Sequence, residues 1–235
     1  MSVSVAMAAY NGSKYIESQL YSILNQLNAN DEVIVSCDKG TDNTFSIVEE
    51  IARRDSRVKV VLGPSKGVIA NFENAISKCT KDYIFLSDQD DVWMNTKVSD
   101  VLLEFNKTNA GLVIHDALIV DEKLKEKSPS FFNMRGSRSG ILNNIIKNSY
   151  IGCCMAFKKE LKEIILPFPK GIPMHDQWIG LAAEKYSSVS FLDKPLIKYR
   201  RHSDNVSSDT HADPFTMLRW RMSIIKAILS RRNYD

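Results

Sequence analysis

Tyr83-Ile84-Phe85-Leu86-Ser87-Asp88-Gln89-Asp90-Asp91 is an apolar run that ends abruptly in acid. Its aromatic and β-branched residues suit a strand buried inside a sheet. The carboxylates of Asp88, Asp90 and Asp91 would stand at that strand's carboxyl end. Crowded there, they would raise one another's pKa unless something positive neutralised them. A hard divalent cation does this, because carboxylate oxygens suit Mg²⁺ or Mn²⁺, and such an ion can in turn hold a diphosphate. The plainer reading is a solvated acidic turn in which Asp91 or Asn95 caps the helix that follows. The strand context favours the metal.

Working outward from this stretch, strand-like and helix-like segments alternate. Val3–Ala9 is short and apolar, and Tyr10-Asn11-Gly12 closes it with turn chemistry. After Ser13, an expected N-cap, Ile16, Leu20, Ile23, Leu24 and Leu27 fall at helical spacing. Glu32–Ser36 and Val58–Leu62 read as further strands. Phe45, Val48, Ile51 and Ala52 mark a helix between them, and Val68, Phe72, Ala75, Ile76 and Cys79 mark the helix after them. Val98, Val101, Leu102 and Phe105 mark the helix beyond the acidic stretch. A β-α-β-α-β-α-β series predicts a parallel, doubly wound α/β sheet.

The second half is less regular. Leu112–Val120 reads as a strand, Glu122–Asn133 as a charged loop, Ile141–Ile146 as a helix and Cys153–Phe157 as a strand. Pro167, Pro169 and Pro173 precede a helix from His175 to Tyr186, and Val189–Leu192 and Leu196–Tyr199 read as two short strands. A polar loop, Arg200–Asp213, leads to a last helix. With no repeat, low-complexity segment or linker, one compact domain over 1–213 is expected. The terminal helix over 214–235 is set apart from it.

Composition narrows the function classes. The chain has 235 residues, 44% of them hydrophobic and 25% charged, with a net charge of +3. That is ordinary globular usage, too weakly basic to argue for nucleic acid, and the basic residues are not interleaved with stacking aromatics outside the last helix. Cys37, Cys79, Cys153 and Cys154 show no CxxC spacing, which suits a reduced, cytoplasmic compartment. No apolar run approaches the roughly 20 residues that cross a bilayer, and no signal peptide is visible.

In open α/β sheets, ligands bind outside the carboxyl ends of the strands. Tyr10 and Asn11 follow the first strand, Cys37-Asp38-Lys39-Gly40-Thr41-Asp42 the second, Ser65-Lys66-Gly67 the third and the acidic stretch the fourth. Asp38 is placed to accept a hydrogen bond from a nucleobase imide and Tyr10 to stack on the base, although a lone Tyr at a strand end is more often core. Asp42 reads as a helix cap. Asp176, opening the helix of His175-Asp176-Gln177-Trp178, is a stabilising charge at a helix N-terminus or a rigidly held general base. In Tyr199-Arg200-Arg201-His202, the arginines could hold phosphate and the histidine complete a metal site, though a single loop histidine is ordinarily solvated. Phe215–Arg232 has no acid: Leu218, Met222, Ile225 and Leu229 form a seam, while Arg219, Arg221, Lys226, Arg231 and Arg232 lie elsewhere. This basic amphipathic helix suits an anionic membrane surface or a core-packing helix with a solvated basic face.

Taken together, these motifs resemble the family 2 glycosyltransferases of the GT-A fold. The resemblance rests on Ala9-Tyr10-Asn11-Gly12, on Cys37-Asp38-Lys39-Gly40-Thr41-Asp42-Asn43-Thr44, on Gly63-Pro64-Ser65-Lys66-Gly67-Val68 through Asn71, and on Ser87-Asp88-Gln89-Asp90-Asp91-Val92-Trp93. Gly152 to Phe157, His175 to Trp178 and Tyr199 to His202 resemble the bacterial rhamnosyltransferase-type branch. The resemblance implies a Rossmann-like, mostly parallel sheet with helices on both faces, a nucleotide-sugar half over about 1–110 and an acceptor half over about 111–213.

It also implies an inverting transfer from a UDP- or dTDP-sugar, rhamnose by analogy, to a hydroxyl of a growing, lipid-linked polysaccharide at the inner face of the cell membrane. Ala9, Tyr10, Asn11, Asp38, Lys66, Gly67, Asn71, Asp88 and Gln89 are implied on the nucleotide sugar. Asp90 and His202 are implied on Mn²⁺ or Mg²⁺, and Asp176 as the base. Trp93, His175, Arg200 and Arg201 fall on the acceptor or phosphate side. Cys37-Asp38-Lys39 departs from the pattern, since many members carry a second Asp after the first. The rivals are a Mg²⁺-dependent haloacid dehalogenase-type phosphatase, for which no later acidic pair is present, and a non-catalytic carbohydrate-binding relative, which would be expected to have lost Asp90 or Asp176.

Overall fold

The computed structural model describes residues 1–202 and 213–231. Its first half follows the expected series: β1 (Val3–Ala9), α1 (Ile16–Leu24), β2 (Glu32–Cys37), α2 (Thr44–Arg54), β3 (Val58–Leu62), α3 (Val68–Lys78) and β4 (Tyr83–Ser87). These four strands are parallel in the order β3-β2-β1-β4, with Met7 of β1 set between Val35 and Ser87. Strands flanked on both sides and covered above and below need apolar side chains on both faces. Every residue of β1 and β2 is accordingly buried. Ile16, Leu20 and Ile23 of α1 and Phe72, Ala75 and Ile76 of α3 join the same core, each large side chain contributing roughly 1.5–3 kcal/mol.

The rest of the chain extends the same sheet. β5 (Val92–Trp93), α4 (Lys97–Thr108), β6 (Leu112–Asp121), β7 (Glu126–Ser128), α5 (Phe131–Arg135) and α6 (Ile141–Ile146) come first. A 3₁₀ turn (Gly152–Cys154), β8 (Met155–Lys158), α7 (Lys159–Ile165), α8 (His175–Tyr186), β9 (Val189–Arg201) and α9 (Pro214–Ser230) follow. The sheet runs β3-β2-β1-β4-β8-β6-β9-β5, with β7 on β6. β8 is antiparallel to both β4 and β6, and β9 is parallel to β6, so β6 and β9 point the same way as β1 to β4. Only β5, β7 and β8 run against them. The fold is a mostly parallel α/β sheet, and the carboxyl ends of six strands open toward one edge.

Several local expectations need correction. Ser13 does not cap α1; its N–H donates to Asp42 Oδ2, and the helix begins at Ile16. Asp42 instead holds the start of α2 through the N–H and hydroxyl of Thr44. Neither Asp91 nor Asn95 caps α4, whose N-cap position is Thr96. The loop expected over Glu122–Asn133 contains β7 and the start of α5. The two strands expected after α8 are one, with a register break opposite His115 and Asp116 where Pro195, lacking an N–H, interrupts the ladder. The strand expected from Cys153 begins at Met155, after a 3₁₀ turn. Of the two readings of α9, the core-packing seam does not hold: Ile224, Ala227 and Ile228 are buried, while Leu218, Met222, Ile225 and Leu229 face outward. Arg231 donates to the carbonyls of Ile165, Leu166 and Pro167 and so joins no solvated basic face. Of the expected polar loop, Arg200 and Arg201 finish β9; Ser203 to Ala212, like Arg232, lie outside the described residues. All four cysteines are free and buried. Among the described residues no helix is long and apolar enough to cross a membrane.

At the far, amino-terminal edge of the sheet, Glu32 ties three strands together. Its carboxylate accepts from Ser4 Oγ, Thr80 N, Thr80 Oγ1 and Lys59 Nζ. Burial alone would raise its pKa, but these bonds outweigh that and hold it at about 2. A carboxyl depressed in the folded state stabilises the fold above its unfolded pKa, and the gain is lost as pH falls through the folded value. Glu32→Gln is therefore expected to cost roughly 1–3 kcal/mol at pH 7. In urea denaturation series, the difference from wild type should shrink as pH drops from about 4.5 toward 2.

Candidate active site

The tips of β1, β2 and β3 meet at the carboxyl edge. Tyr10, the residue after β1, is 55% exposed, yet its backbone is fixed. Gln89 Oε1 accepts from Tyr10 N at 2.9 Å and Gln89 Nε2 donates to Tyr10 O at 2.8 Å. This two-point clamp needs Gly12 beside it, where a Cβ would lie 2.1 Å from Gln89 Oε1. Asn11 adopts a left-handed φ of 48° and accepts from Thr41 N, which joins the first tip to the second. Asp38 is buried after β2; its N–H donates to Ala9 O and its Oδ1 accepts from Ser65 N, reaching the third tip. Lys66 and Gly67, at the start of α3, are exposed beside it.

Asn71 does not face this opening. It is 2% exposed, donating to Ala9 O and accepting from Ser36 Oγ. Both ends of its amide hold strands together, so the expected contact with a nucleotide gives way to a structural one. Gln89 likewise has its amide committed to Tyr10.

The acids divide into two groups. Asp88 and Asp91 lie together: Asp88 is half-buried, while Asp91 is fully buried, its Oδ1 accepting from Arg200 N and its Oδ2 without a hydrogen-bond partner. One oxygen each of Asp88 and Asp91 and the Cys153 sulfur lie within 4.8 Å of one another. Burial, then Asp90 and Asp176, push Asp88 up to about 7, and burial, then Asp90 and Asp88, push Asp91 well up. Burial also raises the Cys153 thiol, which stays protonated and is too soft a donor for a hard cation. Beneath them Lys97 is wholly buried, donating to Cys153 O and lying 3.9 Å over the Trp93 ring. Burial lowers it to about 8.

Asp90 forms the other group. Its Oδ2 lies 2.8 Å from His202 Nε2, bringing together two residues 112 positions apart. The His202 ring packs on Tyr15, 5.1 Å between centroids, and the Arg200 guanidinium sits 4.6 Å from the same tyrosine ring. Tyr15 OH donates to Glu122, which also pairs with Lys14. Arg200 donates to the carbonyls of Asp90 and Glu122 as well, so it braces the acidic turn. A carboxylate oxygen and an imidazole nitrogen 2.8 Å apart are donors that suit a divalent cation.

On the acceptor side, Asp176 opens α8. Its Oδ1 accepts from Gln177 N and from Asn148 Nδ2, and burial raises it to about 6 against those bonds. It borders the same turn as Asp88: a Cβ on Gly152 would lie 3.6 Å from Asp176 Cβ, and the sulfur of the next residue, Cys153, lies within 4.8 Å of an Asp88 oxygen. Two residues expected here are elsewhere. Trp93 is 2% exposed, packed between Phe85 and Lys97. His175 is buried and stacked on Phe72 at 4.1 Å, and burial depresses its pKa to about 3. Arg201 is half-buried at the end of β9. The sequence reading missed Lys97, Tyr15 and Asn148. Lys97 carried the one available signal: a lysine at the expected core-facing start of α4, four residues before Val101.

Comparisons with known proteins give the family and the fold. The sequence model of glycosyl transferase family 2 matches residues 4–165. The dTDP-rhamnosyl transferase RfbG of Shigella flexneri is 30% identical over 223 residues, 85% of this chain and 72% of that one. The Escherichia coli UDP-Glc:alpha-D-GlcNAc-diphosphoundecaprenol beta-1,3-glucosyltransferase WfgD is 26% identical over 218 residues, 88% of this chain and 80% of its own. Among solved structures, residues 1–349 of S. aureus TarS in complex with UDP-GlcNAc superpose with a TM-score of 0.78 at 21% identity, covering 98% of this chain and 67% of that one. That last likeness is one of fold.

Carboxyls crowded in this way weaken the fold when charged. A group raised in the folded state contributes its full stability below its unfolded pKa and loses it as pH rises through the folded value. With Asp88 at about 7, Asp88→Asn is expected to stabilise the metal-free chain at pH 8, by roughly 1–3 kcal/mol after allowance for partial solvation. The gain should vanish near pH 4, as urea midpoints in the presence of a chelator would show.

Proposed function

The chain belongs to glycosyl transferase family 2, and from that premise we propose that it moves a sugar, with inversion, from a nucleoside-diphosphate donor to a hydroxyl of a growing bacterial polysaccharide. The observation that carries this reading is the meeting of Asp90 and His202, 2.8 Å apart and from two distant segments, next to the Gln89 clamp on an exposed Tyr10. A dTDP-linked rhamnose is the preferred donor, supported by the 30% identity to the dTDP-rhamnosyl transferase RfbG. A lipid-linked acceptor is supported by the likeness to WfgD, whose name carries a diphosphoundecaprenol substrate. The family assignment sets aside the phosphatase reading.

In this proposal the Tyr10 ring stacks on the pyrimidine, held at its height by the Gln89 clamp. The Asp38 carboxylate, itself fixed by Ser65 N, takes the imide N–H of the base. Lys66 and the N–H groups at the start of α3 lie near the diphosphate. Asp90 and His202 would hold a divalent cation, which would supply positive charge against the departing diphosphate. Tyr15 packs on the His202 ring and Arg200 bonds to the Asp90 carbonyl, which braces both residues. Asp176 takes the proton from the acceptor hydroxyl as it attacks the face of the sugar opposite the diphosphate. Because its pKa is about 6, Asp176 is mostly ionised and competent as a base at pH 7.5.

Asp176→Asn is expected to lower transfer by roughly 10²–10⁴-fold. Its calorimetric affinity for dTDP or UDP should stay within about twofold of wild type, since the nucleotide touches other residues. For wild type the rate should fall on the acid side of about pH 6 as Asp176 takes up a proton. Lost nucleotide binding in Asp176→Asn, or phosphate rather than nucleoside diphosphate as the product of wild type, would contradict the assignment. Gln89→Ala, which frees Tyr10, is expected to raise the donor KM about tenfold with a smaller change in kcat.

A further inference from the structure

α9 presents an apolar stripe to solvent. Phe215, Leu218, Met222, Ile225 and Leu229 recur at steps of three and four residues and are between 40% and 78% exposed. This is helical face spacing, and the stripe stands opposite Ile224, Ala227 and Ile228, which pack the helix onto the fold. Five large apolar side chains in one exposed row are more than isolated surface leucines. Two further exposed apolar residues, Leu142 and Ile146, come from α6, against which α9 packs.

The flanks of the stripe decide what it fits. Arg219 and Lys226 lie along one margin and Arg221 along the other, and Pro214–Ser230 contains no acidic residue. Paired with a second copy of itself, the helix would set these cations against like charges, which disfavours a self-associated coiled coil. An anionic lipid surface satisfies both parts: it receives the apolar row at the boundary of the acyl chains and the cations among its head groups. The helix has 17 residues, about 25 Å at 1.5 Å per residue, and lies along an interface instead of spanning it.

We propose that the outward face of α9 docks this protein on an anionic membrane surface. The placement also has a consequence for the acceptor. Arg221 donates to Ile146 O, and two residues further on Asn148 donates to Asp176. The docked helix thus adjoins the segment that holds the expected base, the side from which a lipid-linked acceptor would approach. Docking does not depend on the transfer reaction. It is measured without donor or metal, so its failure and the failure of the proposed function are separate results.

The test is sedimentation of the full chain with vesicles of phosphatidylcholine alone or with about one-third phosphatidylglycerol. Wild type is expected to sediment with the anionic vesicles, to stay in solution with the neutral ones, and to be released by high salt. Met222→Asp combined with Ile225→Asp, and separately Arg219→Glu combined with Lys226→Glu, should each weaken binding by about tenfold or more. All four side chains are exposed, so thermal melts by circular dichroism should match wild type. No binding by wild type, equal binding to neutral vesicles, or wild-type binding by both double variants would overturn the proposal. A concentration-dependent dimer in sedimentation velocity that disappears in the Met222→Asp, Ile225→Asp variant would overturn it too, assigning the face to a second copy.

Discussion

Asp91 is fully buried, and through it the end of β4, in the middle of the sheet, is tied to β9. Its Oδ1 accepts from the backbone of Arg200 in β9, whose side chain then reaches back to the carbonyls of Asp90 and Glu122. One carboxylate and one guanidinium therefore connect the end of β4, the end of β6 and the last strand. Burying a carboxylate is costly unless it is well bonded, and here one oxygen is left orphaned. Nearby, Lys97 supplies buried positive charge while bonding to Cys153 O. The arrangement makes sense if the acidic turn must be held rigid for a reason other than stability.

That reason is visible in how the carboxylates divide. Asp88 and Asp91 are pushed upward by burial and by their acidic neighbours, Asp90 meets His202, and Asp176, bonded to Asn148, sits at about 6. Groups set apart in this way perform different tasks within one site. The surrounding scaffold is stiff: an amide clamp fixes Tyr10, Asn11 bridges two loops, and a tyrosine ring stands between Arg200 and His202. Sites on strand ends, braced by neighbours, hold geometry better than sites on loops.

Much of this was legible in the sequence, for physical reasons. The strands β1 to β4 are apolar on both faces and bounded by turn residues, so their existence and order follow from pattern. α8 was found at its true ends because Pro173 precedes it and an apolar run fills it. The acidic turn and Asp176 were found because carboxylates at strand and helix ends are few and chemically conspicuous. What was illegible depends on long-range contacts. Nothing local says that Asn71 spends its amide on Ala9 and Ser36, that Trp93 turns inward beneath Lys97, or that His175 stacks on Phe72. β9 read as two strands because Pro195 interrupts it, and only pairing with β6 carries it through. The orientation of α9 stayed open because both its faces are apolar, and only contact with the fold selects Ile224, Ala227 and Ile228 as the packed side.

The central claim is that Asp90 and His202 form one site with the exposed Tyr10, and that this site holds a nucleoside diphosphate through a cation. A crystal structure of the chain soaked with Mn²⁺ and dTDP or UDP tests it most directly. The account predicts manganese bonded to Asp90, His202 and the diphosphate oxygens, with the pyrimidine lying against Tyr10. A nucleotide bound elsewhere, or Asp90 turned away from an opening that holds no metal, would contradict it.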